Sequence, residues 1–189
     1  MYKNNARPHE ASSYRPINLT CYLSKIFERL VYLHLIEYLR EHNLITPHHH
    51  RFLSKKSTVT NLLSCTYDWV NLLGKKTPFD VIYIDYEKVF DKISHRKILQ
   101  KLECIGIGGE LLSWLMSFMT DRSQCVRVNN FYSVVEKVVS GVAQGTLLGP
   151  VLFLVYISDI ANVIDPACKI SLYADDSKIY GRRLIYKTL

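Results

Sequence analysis

LYADDSKIY, residues 172–180, sets two adjacent aspartates, Asp175 and Asp176, between short runs of strand-forming residues. Leu172 and Tyr173 lead in, and Ile179 and Tyr180 lead out. The pattern predicts a β-hairpin with the acids at its tip. Two carboxylates this close repel each other, and cations commonly neutralise such a pair. Taken alone, an Asp-Asp turn is more often ordinary solvated turn chemistry than a metal site. A second stretch changes that balance. VIYIDYEKVFD, residues 81–91, reads as an apolar strand from Val81 to Ile84 that ends at Asp85. One acid at a strand end and two on a hairpin tip could hold two magnesium ions for phosphoryl transfer.

Between these stretches lies SGVAQGTLLGP, residues 140–150, a Gly-rich turn with one amide, Gln144, that leads into an apolar helix. The order of D-x-x-x-x-F-D, then SGVxQGxxLGP, then YADD resembles reverse transcriptases of non-LTR (LINE-type, jockey-like) retrotransposons. SYRPINL at 13–19, SKIFERL at 24–30 and FLSKKSTVTNLL at 52–63 resemble the fingers region of the same family. The resemblance runs from about Ser13 to about Tyr180.

The resemblance implies an α/β fold: a partial right-hand polymerase, with a largely helical fingers portion and an α+β palm built on an antiparallel catalytic sheet. It divides the chain into a polar tail (1–12), a fingers portion (13–79) and a palm (80–189). It implies an RNA-directed DNA polymerase, a nucleotidyltransferase acting with RNA template, DNA primer and dNTPs. Asp85, Asp175 and Asp176 would be the catalytic metal ligands, holding two Mg²⁺ ions, with Mn²⁺ as an alternative. Phe90 would abut the sugar C2′ and exclude a ribose 2′-hydroxyl. Its plain alternative is core packing. Gln144 and Gly145 would pack against the incoming nucleotide and template base, since an amide donates and accepts without adding charge. Lys55 and Lys56, with Arg51 nearby, would screen the triphosphate, although a solvated basic loop explains them equally well. Asp91 reads as a structural acid rather than a metal ligand.

The chain departs from the family at Arg51 where Gly is usual, at Val89 where Ala is usual, and at Ala143 where Pro is usual. Val89 adds two carbons beside the expected triphosphate site. The family also continues past the acidic hairpin into further palm and a thumb, whereas this sequence stops at Leu189. An incomplete palm and an absent thumb are therefore expected, with self-association through the exposed sheet. A reading from another class follows: an inactive remnant acting at most as a basic nucleic-acid-binding module. A primer-extension assay separates the two.

Composition agrees with either. A chain of 189 residues with 48% hydrophobic and 22% charged residues is an ordinary folded domain, or one and a partial second. A net charge of +7 and a pI near 9.1 favour a polyanionic partner. The 13 tyrosines offer surfaces for base stacking, although most are expected in the core. Five scattered cysteines contain no C-x-x-C pair, so neither a zinc site nor a disulfide framework is indicated, and a reducing, intracellular setting is the default expectation, nucleus or cytoplasm unresolved. The run His48-His49-His50 is not read as a ligand set, because successive side chains rarely converge on one ion. Val138 to Ser158 lacks formal charge but is interrupted by glycines and Pro150, so a buried helix rather than a membrane span is expected.

The spacing of Leu23, Ile26, Phe27, Leu30, Val31, Leu35 and Leu39 predicts an amphipathic helix over 19–39, with Lys25, Glu28 and Arg29 mostly outward. Ser57 is expected to cap a helix over 59–73, and Pro78 to introduce the strand that delivers Asp85. Further helices are expected over 94–104, 110–119 and from the Gly-rich turn to about Ile164. Strands over 125–128 and 134–139 flank the Asn129-Asn130 turn signal.

Overall fold

The computed structural model describes residues 10, 14 and 17–183. The rest of the polar tail and residues 184–189 lie outside the described residues. The chain gathers into two compact units, one of residues up to Tyr38 with Phe90–Tyr156, the other of Leu39–Val89 with Ile157 onward.

The second unit carries the sheet. Helix α2 (Thr58–Gly74) starts where expected, because Ser57 accepts from Thr60 N–H while the Thr60 hydroxyl engages the Ser57 N–H in return. This reciprocal cap satisfies two donors that a helix start leaves open. Strand β1 (Phe79–Ile84) follows Pro78, and β6 (Cys168–Tyr173) and β7 (Asp176–Arg182) form the acidic hairpin. The sheet is antiparallel in the order β1-β7-β6, so the last described strand lies in the middle. Helix α2 packs on β6 through a polar and aromatic seam. Tyr180 donates to Asp68 Oδ2 at 2.8 Å, Lys169 pairs with Asp68 Oδ1 at 2.6 Å, and Trp69 meets Tyr180 edge-on at 5.8 Å. Burial disfavours the Asp68 charge, but the hydrogen bonds from Lys169 and Tyr180 outweigh it and hold the carboxyl below its ordinary range. Burial and then the bond to Asp68 raise the Tyr180 phenol well above its ordinary value.

The first unit is mainly helical. Helix α1 (Tyr22–Glu41) begins in it, a short α3 (Val89–Lys92) enters it, and α4 (His95–Cys104) and α5 (Gly109–Met119) pair within it. Ser94 caps α4 by accepting from Lys97 N–H. Two small antiparallel pairings follow: β2 (Ser123–Gln124) with β5 (Glu136–Lys137), and β3 (Arg127–Val128) with β4 (Phe131–Tyr132) around Asn129-Asn130. The expected turn is present, with Asn129 at a φ of 53°, but the ladders are shorter than the expected strands. Helix α6 (Leu148–Ile157) is apolar on every side and almost wholly buried, as such a helix must be.

Two expectations need correction. Helix α6 ends at Ile157 rather than near Ile164, because the chain turns at Ser158-Asp159 and tightens into a 3-10 turn over Ile160–Val163. Along α1, Leu35 and Leu39 are buried, but Leu23, Ile26, Phe27 and Leu30 are exposed. Glu28, expected outside, is 1% exposed and accepts from Leu147 N–H at 3.0 Å. A carboxylate there meets one N–H just ahead of α6, at a helix end where negative charge is favoured.

Candidate active site

The β1–β7 ladder runs from Phe79 opposite Arg182 to Ile84 opposite Ser177. Asp85 is the residue immediately after Ile84, and Asp176 the one immediately before Ser177. The sheet register therefore brings the ends of two strands that are distant in sequence to one edge. In the hairpin Tyr173 pairs with Asp176, leaving Ala174 and Asp175 as the turn. Ala174 has a φ of 55° and is 1% exposed. Such a backbone is uncommon for a residue with a Cβ and persists only where neighbours over-determine it.

Asp85 and Asp176 are exposed and Asp175 half-buried. Among the described residues, no hydrogen bond or ion pair engages any of these three carboxylates. Hard oxygen donors at adjacent strand ends suit a divalent cation by type. The side chains are not drawn into a closed set, however: among the described residues no three His, Cys, Asp or Glu side chains lie close enough together to hold one metal ion.

Phe90, Asp91, Gln144 and Gly145 belong to the first unit, where one network joins the segment that begins at Phe90 to the Gly-rich turn. Val142 N–H donates to Phe90 O at 2.7 Å, Gly141 N–H to Ile93 O at 2.8 Å, and the Ser140 hydroxyl to Asp91 O at 2.9 Å. Gly141 has a φ of 86°, and a Cβ there would lie 2.7 Å from the carbonyl oxygens of Phe90 and Asp91. Only glycine allows that approach. Buried His95 donates from Nε2 to Gly141 O at 2.7 Å, since a carbonyl can only accept. Gln144 Nε2 donates to Asp91 Oδ1 at 2.8 Å, and the Gln144 carbonyl accepts from Asn18 N–H at 3.0 Å. Gly145 is exposed with a φ of 91°. Phe90 is half-buried, its ring 4.6 Å from that of Phe153.

In the loop before α2, Lys55 is exposed with a φ of 61°, and Lys56 donates to Pro47 O at 3.1 Å. Arg51 lies 5.2 Å over the Tyr173 ring. The five cysteines are free thiols, with Cys65 buried. His49 and His50 are both buried. Burial lowers His49 to about 4 and also lowers His50, whose other depressing neighbours include Lys56 and Lys178.

Sequence reasoning missed Asn61, which is buried within α2. Its Nδ2 donates to Ser171 Oγ at 2.7 Å and to Leu172 O at 3.3 Å, while its Oδ1 accepts from Lys178 at 2.7 Å. A polar residue inside the apolar run TVTNLL was the available signal. His95 offered none, because a histidine at the start of a helix is equally at home in solvent.

An antiparallel sheet carrying acids at two neighbouring strand ends, with a helical portion, is the palm-and-fingers arrangement of template-directed polymerases. The chain belongs to the reverse transcriptase (RNA-dependent DNA polymerase) family, whose sequence model matches residues 2–185. It is similar to the probable RNA-directed DNA polymerase from transposon BS of Drosophila melanogaster, at 31% identity over 93% of this chain and 20% of that protein. It is also similar to the RNA-directed DNA polymerase from mobile element jockey of the same organism, at 26% identity over 95% of this chain and 20% of that protein. The chain thus spans about a fifth of the length of these curated relatives. Among solved structures, telomerase from Candida albicans in complex with the TWJ fragment of telomeric RNA superposes with a TM-score of 0.56. The match has 14% identity and covers 84% of this chain and 30% of that one. Apo telomerase from Candida tropicalis gives a TM-score of 0.56 at 14% identity, over 86% of this chain and 31% of that one. At that identity the likeness concerns the fold alone. No described helix is long and apolar enough to cross a membrane.

Proposed function

We propose that this chain is the fingers-and-palm part of an RNA-directed DNA polymerase, with residues 13–79 as fingers and 80–189 as palm. The reaction is attack of a primer 3′-hydroxyl on a dNTP α-phosphate, with release of pyrophosphate, on an RNA template. The observation that carries this reading is the sheet register, which sets Asp85 and the Asp175-Asp176 turn at neighbouring strand ends. Asp85 and Asp175 are the main metal ligands, and Asp176 completes the set. Two divalent cations, Mg²⁺ or Mn²⁺, would supply the charge that acidifies the primer hydroxyl and neutralises the leaving pyrophosphate. The chain's own residues bind and orient the reactants, which is most of what phosphoryl transfer asks of a protein.

Phe90 excludes the ribose 2′-hydroxyl by volume. Its packing on Phe153 fixes the ring in the manner such a gate needs. Gln144 and Gly145 line the nucleotide and template base, and the Asp91 bond orients the Gln144 amide. Lys55 and Lys56 provide positive charge toward the triphosphate. Primer extension on an RNA template with dNTPs tests the reading, with Asp175→Ala as the control for contaminating polymerase. Extension by the wild type that Asp175→Ala abolishes supports it. Equal extension by both proteins, or none by a wild-type chain joined to the remaining length of its relatives, contradicts it.

A further inference from the structure

The histidine run has no part in the reaction described above, yet two of its three side chains are buried beside the acidic hairpin's entry strand. His50 N–H donates to Leu172 O at 2.8 Å, and Leu172 N–H donates to His48 O at 3.0 Å. These bonds make His49 a parallel partner of Leu172 and give β6 a neighbour on the side away from β7. Leu172 O is also reached by Asn61 Nδ2, so the residue two positions before Ala174 is tied to two different segments.

His49 is fully buried, and its Nδ1 accepts from Arg51 N–H at 3.3 Å. That bond requires Nδ1 to be unprotonated and leaves Nε2 as the protonated nitrogen of the neutral ring. Ala174, the residue with left-handed φ in the acidic turn, follows Leu172 by two positions. Outside, the Arg51 guanidinium lies 5.0 Å over Phe52 and 5.2 Å over Tyr173, the residue just before Ala174. Leu172 and Tyr173, the two residues that lead into Ala174, are therefore each held by a different member of one short segment.

We propose that residues 48–51 form a clamp on the strand end that leads into the acidic turn, in which His49 is a positioning residue: its bond to Arg51 N–H fixes the segment against Leu172 and Tyr173, which keeps Ala174 in its strained conformation and so fixes where Asp175 and Asp176 point. A strained turn relaxes unless its surroundings prevent it. A neutral, hydrogen-bonded ring in the core can do so without adding charge beside the acids. The clamp's contribution to metal binding rests on the reading of Asp175 and Asp176 as ligands, but the clamp itself does not.

Amide hydrogen exchange of the full chain, followed by mass spectrometry, tests the clamp without requiring metal or activity. Mn²⁺ titration is the second readout. His49→Phe keeps the ring's bulk but removes its polar contacts, His49→Gln keeps an acceptor and a donor, and Arg51→Ala removes only the exposed stacking group. In His49→Phe, exchange over residues 173–176 should rise about tenfold relative to the β1–β7 ladder and α2, the effect of losing a buried polar anchor locally. Mn²⁺ binding should weaken in parallel. His49→Gln should restore most of the protection, and Arg51→Ala should show a smaller local rise. Unchanged exchange at 173–176 in both His49→Phe and Arg51→Ala overturns the proposal, as does a rise spread evenly over α2, β1 and the turn. If His49→Phe does not fold, Arg51→Ala decides: a local rise at 173–176 supports the clamp, and no rise overturns it. A wild type that binds no Mn²⁺ contradicts the metal reading, while the exchange pattern still decides the clamp.

Discussion

Gln144 donates from Nε2 to Asp91 Oδ1 at 2.8 Å, linking the Gly-rich turn to the helix that follows Asp85. The acid of the F-D pair is therefore occupied as a partner for an amide. Asp91→Ala should cost about 1 kcal/mol of stability, the usual worth of such a bond when one partner is exposed. It should leave divalent-cation binding unchanged. Urea denaturation and Mn²⁺ titration check the two halves, and loss of metal binding in Asp91→Ala would contradict this assignment.

The seam between α2 and the sheet depends on Asp68, which accepts from both Tyr180 and Lys169. Tyr180 is 4% exposed, so removing its acceptor leaves a buried hydroxyl unpaired. Asp68→Ala should therefore destabilise the chain by about 1–3 kcal/mol, and Tyr180→Phe by less, because the latter removes the buried donor itself. Chemical denaturation of both variants compares them. Equal stability of Asp68→Ala and the wild type would contradict the seam.

His49 predicts a pH dependence with a defined sign. Its folded pKa lies near 4, against an ordinary value of 6.5, because burial penalises the charged ring. The unfolded chain therefore binds the proton first as pH falls. The neutral ring's contribution is fully present above about pH 6.5 and is lost progressively down to about pH 4, by on the order of 3 kcal/mol. His50 is shifted in the same direction. Unfolding measured between pH 4 and 7.5 should show this slope, and His49→Gln should flatten it. Parallel profiles for the two proteins would contradict the buried neutral histidine.

Phe90 has two roles that one variant can separate. Its ring packs at a tilt on Phe153 at 4.6 Å, so Phe90→Val should cost about 1–2 kcal/mol, less than a fully buried truncation. In a polymerising chain it should also raise ribonucleotide use relative to deoxyribonucleotide use. Incorporation efficiencies for the two sugars measure the second effect. A stability loss with an unmoved ratio would leave Phe90 as a packing residue only.

The elements with local chemical punctuation were legible in the sequence. Ser57 and Ser94 mark the starts of α2 and α4, Asn129-Asn130 marks a turn, and the Asp-Asp hairpin is present with its flanking strands. Features set by tertiary partners were not. Glu28 sits on the polar side of an amphipathic pattern, and nothing local says that Leu147 N–H will receive it. The apolar pattern continues past Ile157 through Ile160 and Val163, so only the turn at Ser158-Asp159 separates helix from 3-10 turn. For the site, the acids and the Gly-rich turn could be picked out. The Asp91–Gln144 bond and the contacts of His49 depend on residues brought together by the fold, and spacing along the chain does not encode them.

In the proposed function, Asp85 and the hairpin acids form one cation site for phosphoryl transfer. Isothermal titration of Mn²⁺ into the wild type, Asp85→Ala, Asp175→Ala and Asp91→Ala tests it directly. The expected result is binding by the wild type and Asp91→Ala and its loss in both other variants. Unchanged affinity in Asp175→Ala would contradict the claim.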